Sequence, residues 1–198
     1  MIIIPLGHSS VKIKSNLTIY LDPFKVEGEK ADLILITHTH YDHFSIEDIN
    51  KLKTSNTIII TPKDVNIDSI KLAPNQEIIE KGIKIETIPC YNEKFHPKEK
   101  GWLSYILTIE NKRILFIGDC NLMKEFNDLK NIDILFIPIG GTYTMDYKEA
   151  FEAVKIIKPK LVIPIHWGKI TGTKEDAKFF ITLCNKINIK TTIEDIEL

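Results

Sequence analysis

Leu33-Ile34-Leu35-Ile36-Thr37-His38-Thr39-His40-Tyr41-Asp42-His43 is the stretch that decides the fold of this chain. Its first four residues, bounded by Asp32 and Thr37, form an apolar run that reads as a buried strand. Its last six hold three histidines and an aspartate, four potential metal ligands. Just downstream, Ser45-Ile46-Glu47-Asp48 has the form of a capping box, and Ile46, Ile49 and Leu52 are spaced for one helical face. The ligands therefore fall on a tight loop between a strand end and a helix start. Histidines two apart suit a loop that curls around a cation, whereas a zincin helix presents them four apart. Imidazole and carboxylate groups bind zinc and other borderline divalent metals well. The plain alternative is a polar, solvated loop. One histidine would mean no more than that; four such residues directly after a buried strand favour a metal site.

Length and composition narrow the classes. With 198 residues, 43% of them hydrophobic, the chain fits one domain spanning 1–198 with a substantial core, and has no room for a large cap or a separate substrate domain. The formal net charge is −1 and no basic stripe is evident, which argues against nucleic acid as a partner. Cys90, Cys120 and Cys184 are widely separated and odd in number, so neither a disulfide framework nor a CxxC pair follows. Met1 to Leu6 is apolar but too short for a signal peptide and lacks a basic leader, and no apolar run reaches membrane-spanning length. A cytoplasmic protein without membrane attachment is expected. A homo-oligomer stays open.

The order of elements suggests mixed sheets with helices outside. Short strands are expected at Ile2 to Ile4, Val11 to Ile13, Leu17 to Leu21 and Thr57 to Thr61, with turn signals at Gly7 to Ser10 and Ser15-Asn16. Two more flank Lys81-Gly82 within Ile78 to Pro89, and a hairpin joins Leu103 to Ile109 with Arg113 to Ile117. Ile134 to Ile139 and Leu161 to Ile165 are strands, and Ile189 to Ile193 closes the chain as another. A helix over Asp146 to Lys158 turns Ala150, Phe151, Val154 and Ile157 to one side. A second, capped by Thr173 to Asp176, turns Ala177, Phe180, Ile181, Cys184 and Ile187 to the core.

Two further strand ends carry metal-competent side chains. Ile114 to Ile117 runs into Gly118-Asp119-Cys120, and Leu161 to Ile165 runs into His166-Trp167-Gly168. Mixed α/β folds place their sites at such C-terminal strand ends. Alone, Asp119 reads as a turn cap and His166 as a core histidine; beside the first motif both become ligand candidates.

Together these positions resemble the metallo-β-lactamase superfamily. His38, His40, Asp42 and His43 meet its HxHxDH signature in full, Asp119 matches its later aspartate, and His166 its final histidine. The likeness covers nearly the whole chain and is strongest to the compact, uncapped branch of metal-dependent hydrolases that includes ascorbate-phosphate lactonase-like proteins. Gly7-His8-Ser9-Ser10, Leu21-Asp22-Pro23-Phe24 and Pro138 to Met145 carry that part of it. The resemblance implies an α+β or α/β fold, a four-layer αββα sandwich, with two divalent metal ions between the sheet edges. Zinc is the first choice of metal, with manganese or iron as alternatives. His38, His40 and a third ligand would hold one metal; Asp42, His43 and His166 would hold the other, with Asp119 bridging. A shared hydroxide would attack a carbonyl or phosphoryl centre, with Asp42 orienting it or moving its proton.

The chain departs from the pattern at one ligand. A strand-end histidine is usual where this sequence has Cys90-Tyr91-Asn92. His96 follows four residues after Asn92, so either the loop folds back to bring His96 into the site, or Asn92 or water takes the position; His96 is preferred. Cys120 stands for a threonine and Trp102 for a glycine, changes that leave the ligands untouched. His8 and Asp22, both at strand ends of the first sheet, are candidates to hydrogen-bond a ligand, and Asp22 equally to cap a turn before Pro23. Tyr143 and Thr144, after a Gly-Gly turn, are candidates for substrate contact or ordinary surface loop.

A hydrolase of a small ester, lactone or phosphoester is the leading expectation. A mononuclear iron oxidoreductase related to thiol dioxygenases is the second. Flavo-diiron chemistry is disfavoured, because its usual glutamate is replaced by His40 and no flavin domain is present. A non-catalytic metal-binding module is the third.

Overall fold

Along Ile83–Pro89 every second side chain is buried, the period of a strand that packs one face against a core. In the computed structural model, which describes residues 1–198, such strands build two seven-stranded sheets. The first contains β1 (Ile2–Gly7), β2 (Ser10–Lys14), β3 (Thr18–Leu21), β4 (Leu33–Leu35), β5 (Ile58–Pro62) and β6 (Ile70–Leu72), with β14 (Ile196–Glu197) added beside β1. The second contains β7 (Glu77–Glu80), β8 (Ile83–Pro89), β9 (Leu103–Ile109), β10 (Lys112–Phe116), β11 (Ile134–Pro138), β12 (Leu161–Ile165) and β13 (Lys190–Thr191).

The inner faces meet through Leu21, Leu35 and Ile60 from the first sheet and Tyr105, Phe116 and Phe136 from the second. Phe136 is fully buried there, and its truncation to alanine is expected to cost about 3–5 kcal/mol. Helix α1 (Ile46–Leu52) covers the outside of the first sheet, packing Ile49 and Leu52 on Tyr20 and Ile34. Helices α2 (Tyr147–Ile157) and α3 (Lys174–Lys186) cover the second, where Val154 and Phe180 pack with Leu135 and Ile137. The layers therefore run helix, sheet, sheet, helix, as the sequence led one to expect. No helix is long and apolar enough to cross a membrane.

Four local readings are corrected. Ser45 does cap α1 by accepting from Asp48 N, but the Asp48 carboxylate turns away to accept Lys25 N and Val26 N, so the box is only half formed. Ile46, expected on one face with Ile49 and Leu52, is 49% exposed while those two are buried. Ile187 is exposed past the last turn of α3. The closing strand expected over Ile189 to Ile193 shrinks to β13, after which the chain returns to the first sheet as β14. In α3, by contrast, Thr173 and Asp176 form a complete capping box.

Strand register positions the site. β3 and β4 run parallel with Leu21 opposite Leu35, so Asp22 and Thr37 leave the sheet side by side. β10, β11 and β12 are also parallel, which delivers Asp119 and His166 to the same end of the second sheet.

Candidate metal centre

The loop after β4 is a tight turn, with His43 N and Phe44 N both donating to His40 O at 3.0 and 2.8 Å. One short segment thereby presents His38, His40, Asp42 and His43 together. Across from it stand Asp119 and His166. His8 joins from the β1–β2 turn, where it adopts a left-handed φ of 52°. His96 arrives from the loop between β8 and β9, folded back by Asn92 N donating to His96 O at 2.8 Å.

These side chains form two groups whose ligand-type atoms lie within 4.8 Å of one another: His38, His40 and His96 in one, His8, Asp42, His43 and His166 in the other. Asp119 lies between them, its Oδ2 3.0 Å from His166 Nε2, 3.4 Å from His43 Nε2 and 3.7 Å from His96 Nε2. His38 Nε2 and His40 Nδ1 face each other at 3.2 Å. His96 Nε2 and Asp119 Oδ1 are buried without a hydrogen-bond partner, and His43 Nε2 and His166 Nε2, though close to Asp119 Oδ2, are not aligned to hydrogen-bond with it. Buried polar atoms are normally satisfied. Several orphaned nitrogens and a carboxylate oxygen around one point match the donor set of a borderline divalent cation.

An outer set of groups aims the inner one. Asp22, fully buried, accepts Thr37 N at 2.7 Å, Thr37 Oγ1 at 2.6 Å and His43 Nδ1 at 2.8 Å. Thr37 Oγ1 is in turn 2.9 Å from His38 Nδ1. Asp22 thus steadies two histidines at once, one directly and one through Thr37. Thr171 Oγ1 lies 3.1 Å from His166 Nδ1, and Gly140 leaves it space, since a Cβ there would strike Thr171 Oγ1 and the His166 carbonyl. His8 Nε2 donates to Asp42 Oδ2 at 2.9 Å. Trp102 packs within 5.0–5.4 Å of the His38, His40 and His96 rings, its indole N–H held by Asp64. The sequence did not single out Thr37, Asp64 or Thr171; the position of Thr37 beside the Asp22 strand end was the available signal for it.

Burial dominates the electrostatics. It drives His38 well below the ordinary imidazole value, lowers His40 and His8, and takes His96 to about 4. His43 is the exception: burial opposes its charge, but Asp119 and Asp22 outweigh it and hold the proton well above the ordinary value. Burial also opposes ionisation of Asp119, yet the charges of His166 and His43 bring it well below the usual carboxylate range. For Asp42, burial is overcome by the His8 hydrogen bond and the charge of His43.

Of the remaining candidates, Asn92 is buried and bonds to His96 and to the Tyr143 carbonyl. The Tyr143 ring is 40% exposed and packs edge-on to Phe95 at 4.9 Å. Thr144 is buried rather than surface loop, and its hydroxyl donates to Cys120 O. Together with Lys94, Asn121 and Leu122 these residues line an open cleft of about 440 Å³, which meets the first cluster through Asn92, the hydrogen-bond partner of His96.

The model of the β-lactamase superfamily domain matches residues 3–166, a span that contains every residue of both clusters. The chain belongs to the metallo-β-lactamase superfamily. As such it is 30% identical to a UPF0173 metal-dependent hydrolase of Thermoplasma acidophilum over 96% of this chain and 94% of that one. It is 32% identical to another from Nanoarchaeum equitans over 86% of each chain. These relatives place it, within the superfamily, among the UPF0173 metal-dependent hydrolases. A solved structure from Parabacteroides distasonis, provisionally named a metal-dependent hydrolase, has the same metallo-β-lactamase architecture with a TM-score of 0.89. Their sequences are 30% identical, over 97% of this chain and 91% of that one. Igni18, a metallo hydrolase of Ignicoccus hospitalis, shares the fold with a TM-score of 0.83 at 19% identity, over 100% of this chain and 98% of that one.

Proposed function

We propose that this metal-dependent hydrolase cleaves a small ester, lactone or phosphoester with the help of two divalent cations, zinc in the first instance. The observation that carries the reading is the convergence of His43 Nε2, His96 Nε2, His166 Nε2 and Asp119 Oδ1 without partners. A buried polar atom left unmatched costs about 1–3 kcal/mol, and a cation shared among these atoms removes that cost. His38, His40 and His96 would hold one ion; Asp42, His43 and His166 the other, with Asp119 shared. When bound, the ions supply the acidity that makes water a nucleophile near neutral pH and polarise the bond under attack. Asp42, 8% exposed and anchored by His8, would orient the water and take its proton. Trp102 closes one side of the first cluster to solvent. The cleft beside Asn92 and Tyr143 is of a size for a small molecule, and a net charge of −1 offers little to nucleic acid. Three buried free cysteines fit a reducing compartment such as the cytoplasm.

The test combines elemental analysis with a chromogenic panel of a p-nitrophenyl ester, a lactone and a phosphodiester, run on wild type and Asp42→Asn. About two ions per chain and turnover that falls roughly 100-fold or more in the variant are expected. A single iron with oxygen consumption would move the reading to an oxidoreductase. No ion after reconstitution would leave a non-catalytic module.

A further inference from the structure

The histidines facing the centre are not all held in the same sense. Thr37 gives its hydroxyl hydrogen to Asp22, so towards His38 Nδ1 it accepts. His43 Nδ1 donates to Asp22. Both rings keep a proton on Nδ1, which in a neutral imidazole leaves the free lone pair on the inward Nε2, the arrangement a metal ligand needs.

His96 is held the other way. Asn92 Oδ1 accepts Phe95 N at 2.8 Å, His96 N at 3.2 Å and Lys94 N at 3.3 Å, while Asn92 Nδ2 donates to the Tyr143 carbonyl at 2.8 Å. Those four bonds fix which end of the carboxamide is nitrogen, and that nitrogen is 2.7 Å from His96 Nδ1. A carboxamide N–H only donates. His96 Nδ1 must therefore accept, and the proton of the neutral ring sits on Nε2, pointing into the centre. Turning the carboxamide would bring its oxygen against the Tyr143 carbonyl and its nitrogen against three backbone N–H groups.

Resting on the two-ion reading above, we propose that Asn92 opposes ligation by His96 and makes the two cation positions unequal. The group of Asp42, His43 and His166 fills first. The group of His38, His40 and His96 fills only at higher cation concentration, once the His96 proton moves from Nε2 to Nδ1 and the Asn92 carboxamide turns to accept it.

Metal-stripped protein titrated with Zn²⁺ against a chromophoric chelator tests this. Wild type should show two steps, with affinities roughly tenfold or more apart, and His96→Ala should remove the weaker. Asn92→Asp keeps an oxygen for the backbone N–H groups and offers a second to His96 Nδ1–H. It should tighten the weaker step by about 10- to 100-fold and leave the stronger one alone. Two equal steps in wild type, unmoved by Asn92→Asp, would overturn the proposal. Should that variant not fold, a long-range ¹H–¹⁵N spectrum of metal-free wild type decides: the Nε2–H tautomer of His96 supports it and the Nδ1–H tautomer refutes it. Absence of any Zn²⁺ uptake would instead defeat the two-ion reading, and the tautomer measurement separates the two failures.

Discussion

Asp22 accepts the Nδ1–H of His43 at 2.8 Å although the two residues belong to different segments, the end of β3 and the loop after β4. The parallel register of those strands makes the contact unavoidable, and Thr37 extends it to His38. A single buried carboxylate thus orients one imidazole from each cluster.

Asp22→Asn should weaken cation binding in both clusters by about 10- to 100-fold, since Oδ1 accepts Thr37 N while Oδ2 accepts Thr37 Oγ1 and His43 Nδ1, and an amide nitrogen in either place would donate where it must accept. Equilibrium dialysis of wild type and variant measures it. Unchanged affinity in either cluster would show that the ring orientations are set elsewhere.

Chelation should lower thermal stability. Ions at about 100 times their dissociation constant contribute about 2.7 kcal/mol per site, so stripping one site should reduce Tm by about 5–10 °C for a chain of this length. Calorimetry with and without chelator would reveal it, and identical transitions would mean that the orphaned atoms gain nothing from a cation.

The metal-free protein should lose stability on acidification. His38, His40, His96 and His8 have folded pKa values below the unfolded value of about 6.5. Stabilisation from keeping them neutral is present above that value and is lost as pH falls toward about 4, the value for His96. His96 alone accounts for roughly 2 kcal/mol between pH 7 and pH 5. His43, raised, acts oppositely: its contribution is full below about 6.5 and is lost as pH rises through its folded value. Urea midpoints of chelated protein across this range should fall toward acid, and a flat profile would contradict burial of neutral imidazoles.

Tyr105 reaches from β9 across the inter-sheet core to donate to Ile36 O at 2.7 Å, one residue before the metal loop. Tyr105→Phe should destabilise by about 1–2 kcal/mol by stranding that carbonyl. Denaturant unfolding with an unchanged m-value is the expected signature, and no loss of stability would imply that the carbonyl finds another partner.

Much of this was visible in the residues themselves. Leu33 to Ile36 and Leu161 to Ile165 read as buried strands because hydrophobic runs of that length have few other solutions, and the histidines at their ends follow from the same pattern. What the sequence could not reveal depends on long-range geometry. Asp48 looks like a capping-box residue, yet its carboxylate is drawn to two backbone N–H groups more than twenty positions earlier. β14 is two residues long and carries no periodic signal; it exists because β1 offers an edge. The route of His96 into the centre depends on a loop that closes through Asn92, a turn at Lys98–Lys100 and a left-handed Gly101, none of which hydrophobic spacing encodes.

The indole of Trp102 lies against all three imidazoles of the first cluster, with its N–H tied to Asp64. Trp167, the other tryptophan, gives its N–H to Pro164 O instead. In a Trp167→Phe background the tryptophan emission, excited selectively at the red edge, would come from Trp102 alone. A paramagnetic ion such as Co²⁺ entering that cluster would quench it, so the protein carries its own optical gauge of cation entry.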